Sequence, residues 1–106
     1  MEVINLKGRD AAEVKGAIEA GEVVYIGNNM SWVKKWYFLK GSKWGNPYKE
    51  GRDGTRQEIL IKYREHITNS PELLADLHEL KGKKLACWCK PLGCHGDILK
   101  ELVQEG

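Results

Sequence analysis

The chain alternates short apolar runs with longer segments whose apolar residues recur at helical spacing. The runs 3–6, 23–27 and 84–89 are short and rich in apolar residues, which predicts three strands. Helices are predicted to begin at Asp10, Thr55 and Ser70, which are residue types that cap helix amino termini, and at about Cys94. Strands that alternate with helices indicate the α/β class, with a small, mainly parallel sheet flanked by helices.

The same alternation predicts where a ligand would bind. In open parallel sheets, ligands bind outside the carboxyl ends of the strands. The two unusual loops of this chain follow Gly27 and Cys89, and both are predicted to leave strands at that edge. We therefore expect the functional site there.

Composition narrows the class of protein. With 106 residues and 42% apolar content, residues 1–106 are expected to form a single domain. A formal net charge of +2 is too small to indicate a general nucleic-acid binder. No run resembles a membrane helix or a signal peptide, and three cysteines are an odd number, so we expect reduced thiols, no membrane and a cytoplasmic location.

The segment from Val23 to Lys49 separates aromatic and basic residues from acidic ones. It contains five lysines, seven of the nine aromatic residues of the chain and no Asp or Glu. Lysines favour phosphate, and flat aromatic rings favour a base or nucleoside. This pattern indicates local attraction of an anion.

Within this segment, residues 41–48 (Gly-Ser-Lys-Trp-Gly-Asn-Pro-Tyr) are predicted to form a ligand loop. Glycines let a backbone approach a ligand, while the other side chains offer a hydroxyl, a cation, a stacking ring and an amide. The alternative is that the tryptophans fill the core and Pro47 shapes a turn. The predicted ligand-binding residues are Gly41, Ser42, Lys43, Trp44, Gly45 and Asn46.

Residues 87–97 contain all three cysteines and one of the three histidines. Cys94 and His95 are predicted to open the last helix, where the helix dipole and the unpaired amides stabilise a thiolate or bind phosphate. We therefore predict Cys94, His95 and Asp97 as catalytic residues, although Asp97 alternatively caps the helix. Trp88, Cys89 and Gly96 are predicted to contact the ligand.

Two other interpretations of this segment remain open. Zinc could bind Cys87, Cys89, Cys94 and His95. Structural zinc sites, however, usually pair cysteines separated by two residues, whereas a single residue separates Cys87 from Cys89. Alternatively, the strand cysteines are small apolar residues of the core. No cofactor is therefore predicted, with zinc kept as the alternative.

The motifs together resemble a known family. The Val-Tyr-Ile-Gly strand, the loop 41–48 and the segment Leu-Ala-Cys-Trp-Cys-Lys-Pro-Leu-Gly-Cys-His-Gly-Asp are similar to the domain of unknown function 4326 family of small phage and bacterial proteins. The resemblance spans nearly the whole chain and implies that both motifs matter, but it implies no activity. The layout also resembles small Rossmann-like folds that sense nucleotides or process nucleosides, an analogy of fold alone.

Three functions follow from these patterns. The first is binding, with or without processing, of a nucleotide-like or phosphate-bearing small molecule; no paired carboxylates accompany the motifs, so enzyme status stays open. The second is a phage-type sponge that sequesters a nucleotide signal without chemistry, often as a homo-oligomer. The third is a zinc-stabilised module that binds nucleic acid through the lysine and tryptophan segment.

Overall fold

The computed structural model describes residues 2–88 and 94–105. Its sheet has three strands in the order β1-β3-β2, so β3 is central. Both strand pairs are parallel, and Ala86 of β3 lies between Ile4 of β1 and Tyr25 of β2. The predicted mainly parallel sheet is confirmed, with strands β1 (Glu2–Asn5), β2 (Val23–Tyr25) and β3 (Lys84–Cys87).

Within the described ranges, four α-helices and two 3-10 turns connect and cover these strands. The helices are α1 (Ala11–Glu19), α2 (Arg56–Thr68), α3 (Pro71–Asp76) and α4 (His95–Glu105), and the 3-10 turns span Lys34–Trp36 and Leu77–Leu80. The structure is therefore a small α/β domain. No helix in the described ranges is long and apolar enough to cross a membrane.

Side-chain caps set the starts of the first three helices. Asp10 and Ser70 each accept a hydrogen bond from a backbone amide in the first turn that follows. Thr55 and Glu58 form a reciprocal capping box at the start of α2. Each cap satisfies amides that have no partner within the helix, so the starts predicted from these residue types are confirmed.

The two faces of the sheet bury separate apolar clusters. Helices α2 and α4 pack on one face, where Leu85 and Tyr63 are fully buried. Helix α1 and the segment around Trp36 cover the other face, where Ala86 is fully buried. Successive strand residues point to opposite faces, so β3 contributes to both clusters.

Candidate functional site

A cavity opens where the carboxyl ends of β2 and β3 meet. Its volume is about 570 Å³, and its lining includes Gly27 just beyond β2 and Cys87 and Trp88 at the end of β3. We call it the strand-edge cavity. Because parallel strands present their carboxyl ends at one edge, residues distant in sequence share its wall.

Aromatic side chains form one part of this wall. Trp88 Nε1 donates to Tyr25 Oη at 2.9 Å, and Tyr25 Oη donates to the backbone oxygen of Asn28 at 2.6 Å. Trp36 packs edge-on against Trp88, with ring centroids 5.2 Å apart. These contacts hold the Trp88 indole in place, and the ring of Tyr48 also lines the cavity.

Positive charge dominates the ionisable lining of the strand-edge cavity. Lys7, Lys49 and Arg56 line it, and Glu50 is the only carboxylate among its described lining residues. The Glu50 carboxylate lies 3.4 Å from Arg56 Nε. With the Arg56–Glu50 ion pair neutral overall, the cavity lining keeps a net charge of two positive units, which favours an anionic ligand.

Cys87 and His95 line the cavity, and together with Cys94 they form what we call the Cys–His cluster. His95 Nε2 lies 2.6 Å from the carbonyl oxygen of Ile26. Since a carbonyl only accepts, Nε2 carries the hydrogen, and in the neutral ring Nδ1 is the acceptor. Nδ1 lies 3.8 Å from Cys94 Sγ, which lies 2.8 Å from Cys87 Sγ.

The first turn of α4 is held by local hydrogen bonds and packs closely on the sheet. Asp97 Oδ2 accepts a hydrogen bond from the Cys94 amide at 3.2 Å, so this carboxylate caps the helix. The Gly96 amide donates to Cys94 Sγ at 3.4 Å. A Cβ on Gly96 would lie 2.8 Å from Val3 Cγ1 and 2.9 Å from Ile26 Cδ1, so this glycine allows α4 to pack closely on the sheet.

Tyr63 connects the Cys–His cluster to the loop 41–48. Its hydroxyl donates to the backbone oxygen of Trp44 at 2.7 Å, and its ring centroid lies 5.1 Å from that of His95. Burial, and secondarily the Cys94 thiol, raise the pKa of the Tyr63 hydroxyl well above its ordinary range. The hydroxyl therefore stays protonated and donates to the loop.

The loop 41–48 divides between two environments. Its backbone is tied to the end of β2, because the Ser42 amide donates to the Gly27 carbonyl at 3.2 Å. Asn46 reaches the strand-edge cavity. Trp44 is only 2% exposed and belongs to the core.

Lys43 points away from the cavity. Its Nζ lies 2.8 Å from carboxylate oxygens of both Asp76 and Glu79. Hydrogen bonds to these two carboxylates raise the pKa of Lys43. The lysine therefore ties the loop to the α3 region.

The structure brings together only part of the predicted site. Three of the predicted residues line the strand-edge cavity, namely Asn46, Trp88 and His95. Cys89 lies outside the described residues. The other predicted residues do not line the cavity, and these are Gly41, Ser42, Lys43, Trp44, Gly45, Cys94, Gly96 and Asp97.

Some cavity residues escaped the sequence prediction. Lys7 follows β1, so the rule that ligands bind at the carboxyl edge of a parallel sheet was the signal available for it. Arg56 follows the Thr55 cap of α2, so the predicted helix start was its signal. Glu50 and Lys49 follow directly after the predicted loop. Lys49 lies in the basic segment 23–49 and Arg56 inside the Thr55–Glu58 capping box, but neither pattern by itself marks a ligand site.

Two other features bear on the choice of site. Within 2–88 and 94–105, no group of three or more His, Cys, Asp or Glu side chains is placed to hold a metal ion, so zinc stays a prediction. A larger hollow of about 820 Å³ runs along α1, and its lining mixes charges such as Arg9, Glu13 and Lys83. No predicted site residue lines that hollow, so we favour the strand-edge cavity.

Comparisons with known proteins identify viral relatives. The uncharacterized protein R718 of Acanthamoeba polyphaga mimivirus is 36% identical over 89 residues, which cover 76% of this chain and 66% of that protein. An uncharacterized 12.4 kDa protein in the nrdA-td intergenic region of Enterobacteria phage T4 is 35% identical over 71 residues, covering 62% and 64%. The chain thus spans slightly less than two thirds of the length of each.

No solved structure matches the chain. The family model described as Domain of unknown function (DUF4326) matches residues 10–105, which contain both motifs. On this match, the chain belongs to the DUF4326 family, as the resemblance of its motifs indicated.

Proposed function

We propose that this protein binds a nucleotide or a nucleotide-derived ligand in the strand-edge cavity. The observation that carries the proposal is the combination of cations and aromatic rings around one cavity. Its volume of about 570 Å³ falls within the ~300–1,000 Å³ typical of small-molecule sites. A phosphate and a base each find a complementary surface there.

The phosphate is assigned to the cationic part of the wall. Lys7, Lys49 and Arg56 line the cavity, whereas Lys43 is engaged with two carboxylates elsewhere. We therefore transfer the phosphate-binding role from Lys43 to these three residues. Guanidinium and ammonium groups form strong charge-assisted hydrogen bonds to phosphate.

The base is assigned to Trp88 and Asn46. Trp88 is oriented by its hydrogen bond to Tyr25, so little ordering is needed when a base stacks on it. Asn46 Oδ1 accepts from the Tyr48 amide, while in the described part of the chain its amide nitrogen has no hydrogen-bond partner. That nitrogen remains as a donor for a polar edge of the base.

As part of the same proposal, we interpret the fold as Rossmann-like. The parallel sheet carries its cavity at the carboxyl edge, as open nucleotide-binding sheets do. Because its relatives are viral and Cys87 and Cys94 are thiols, a location in the host cytoplasm is the setting that we propose for this binding.

We further infer that the ligand is sequestered intact. Both nitrogens of His95 face protein atoms, since Nε2 donates to Ile26 and Nδ1 faces Cys94. Asp97 caps α4, and Cys94 does not line the cavity. The groups predicted to be catalytic therefore hold one another, which favours the sponge over the enzyme.

Native mass spectrometry of the freshly purified protein, with elemental analysis of the same sample, tests binding. We expect an adduct of nucleotide mass without metal, and the spectrum also reports the oligomeric state. One zinc per chain with no organic adduct would contradict the proposal. Recovery of a bound ligand at unchanged mass after prolonged incubation distinguishes sequestration from turnover.

A matched pair of variants tests the assignment of the phosphate. Lys49→Gln combined with Arg56→Gln should lower the affinity for nucleoside monophosphates at least about tenfold, because charged hydrogen bonds are lost. Lys81→Gln, an exposed lysine outside the cavity, should leave the affinity unchanged. Equal affinities of the two proteins in calorimetric titration would refute the assignment.

A further inference from the structure

Outside the strand-edge cavity, the segment 30–40 exposes large aromatic side chains. Trp32 is 78% exposed and Tyr37 is 58% exposed. Exposed aromatic residues close together in a chain commonly mark a binding surface. With three exposed lysines they form what we call the aromatic–lysine surface: Trp32, Lys34, Lys35, Tyr37 and Lys40.

This surface rests on an ordered backbone. The Met30 amide donates to the Leu39 carbonyl at 2.9 Å, and the Leu39 amide donates to the Trp36 carbonyl at 2.8 Å. Trp36 and Leu39 are buried against the sheet. The buried pair anchors the segment, so Trp32 and Tyr37 are presented to solvent without a large loss of conformational entropy on binding.

The lysines of the surface are available for an anion. Among described residues, no carboxylate lies within ion-pairing distance of Lys34, Lys35 or Lys40. Lys34 and Tyr37 are three residues apart across the 3-10 turn, a spacing that places side chains on the same side. The spacing places this cation on the same side as a flat ring, and Lys35 Nζ lies 5.8 Å from the centroid of the buried Trp36 ring.

The aromatic–lysine surface begins at the wall of the strand-edge cavity. Asn28 and Met30 line the cavity, and Trp32 is two residues further along the chain. Trp36, which anchors the surface, packs against the cavity residue Trp88. A ligand that leaves the cavity in this direction would next meet exposed rings and lysines that have no ion pair among the residues the structure describes.

We propose that the ligand class is single-stranded nucleic acid, with one nucleotide in the strand-edge cavity and the adjoining nucleotides on the aromatic–lysine surface. The inference rests on the proposed function and extends it from a mononucleotide to an oligonucleotide. Bases stack on Trp32 and Tyr37, and phosphates contact Lys34, Lys35 and Lys40. Repeated rings and cations suit the repeating base and phosphate of a strand.

A membrane surface is the competing partner for exposed tryptophan and lysine. Interfacial membrane binding usually uses a long amphipathic helix with a broad apolar face. Here the only helical element in the segment is the three-residue 3-10 turn Lys34–Trp36, and the neighbouring cavity is lined by cations and aromatic rings. These features favour a nucleic-acid strand.

Titration of the full chain with two probes tests the inference. The probes are a mixture of nucleoside monophosphates and fluorescent octamers of thymidylate and uridylate. We expect the better octamer to bind at least about tenfold more tightly than the monophosphates, because stacking on each additional ring contributes about a tenfold gain. Tryptophan fluorescence should be quenched as Trp32 stacks.

Variants separate the surface from the cavity. Trp32→Ala should lower octamer affinity about tenfold and leave monophosphate affinity unchanged. Lys34→Gln with Lys35→Gln should reduce the slope of log affinity against log salt by about 1.4, corresponding to two phosphates of a single strand. Ile61→Ala and Lys81→Gln, at exposed positions elsewhere, are the matched controls.

The possible failures are distinguishable. If monophosphates bind but octamers bind no more tightly, or Trp32→Ala has no effect, the inference fails and the proposed function stands. If neither probe binds, both fail. Trp32-dependent binding to anionic phospholipid vesicles without octamer binding would also overturn the inference in favour of a membrane.

Discussion

The Cys–His cluster and the strand-edge cavity are neighbours with opposite character. In the cluster, His95 and Cys94 face protein atoms and are buried. Around the cavity, Lys49 and Arg56 reach an open volume. The thiols and the imidazole of the cluster, which belong to the most chemically unusual motif, therefore pack against protein atoms at the cavity wall, while Lys49 and Arg56 bring charge to the open volume. The predictions below test this division.

The largest effect should come from His95→Ala. The substitution removes a buried ring that packs on Tyr63 and leaves the Ile26 carbonyl without its donor. We expect the free energy of unfolding to fall by about 3 kcal/mol, measured by urea denaturation. His78→Ala, at an exposed position, should change it by less than about 0.5 kcal/mol. Wild-type stability in both variants would mean that the cluster is not structural.

A pair of glycine substitutions should have opposite signs. In Gly96→Ala the new Cβ meets Val3 and Ile26, so we expect destabilisation of about 2 kcal/mol. In Gly16→Ala, in the middle of α1, the new Cβ has nothing within 4 Å, so we expect stabilisation of about 0.5–1 kcal/mol. Thermal unfolding of the two variants measures the difference. Similar shifts would show that α4 does not pack tightly on the sheet.

Cys94→Ser should separate stability from binding. The hydroxyl replaces a thiol that is buried between Cys87 and His95, which should cost about 1 kcal/mol of stability. Ligand affinity and the mass of the recovered ligand should stay the same, because Cys94 does not line the cavity. If wild type alters the mass of the ligand and this variant does not, the thiol is catalytic.

The smallest effect should come from Lys43→Gln. Lys43 pairs with Asp76 and Glu79 at a half-exposed position, so we expect a stability loss below about 1 kcal/mol at neutral pH and no change in ligand affinity. Because the pKa of Lys43 is raised above its ordinary value of 10.5, its contribution is complete below that value. It should disappear as the pH rises through the raised pKa. Weakened ligand binding would restore Lys43 to the site.

Local sequence determined the elements of this protein. The caps at Asp10, Thr55 and Ser70 act on amides within the next turn, so residue type alone predicts the helix starts. Alternation of apolar runs with helical patterns likewise predicted a parallel sheet, and the carboxyl-edge rule pointed to the region of the cavity. The helix starts and the parallel sheet could be predicted because their causes are local or general to parallel sheets.

Only the tertiary structure decided which residues of the motifs share the cavity. Lys43 and Lys49 belong to the same basic segment, but Asp76 and Glu79, more than thirty positions away, hold Lys43 on the α3 side. The Ile26 carbonyl, 69 positions from His95, fixes the orientation of that imidazole in the cavity wall. A side chain's direction depends on partners brought close by folding. Spacing along the chain therefore identified the segments that carry polar groups, and packing determined which of those groups face the cavity.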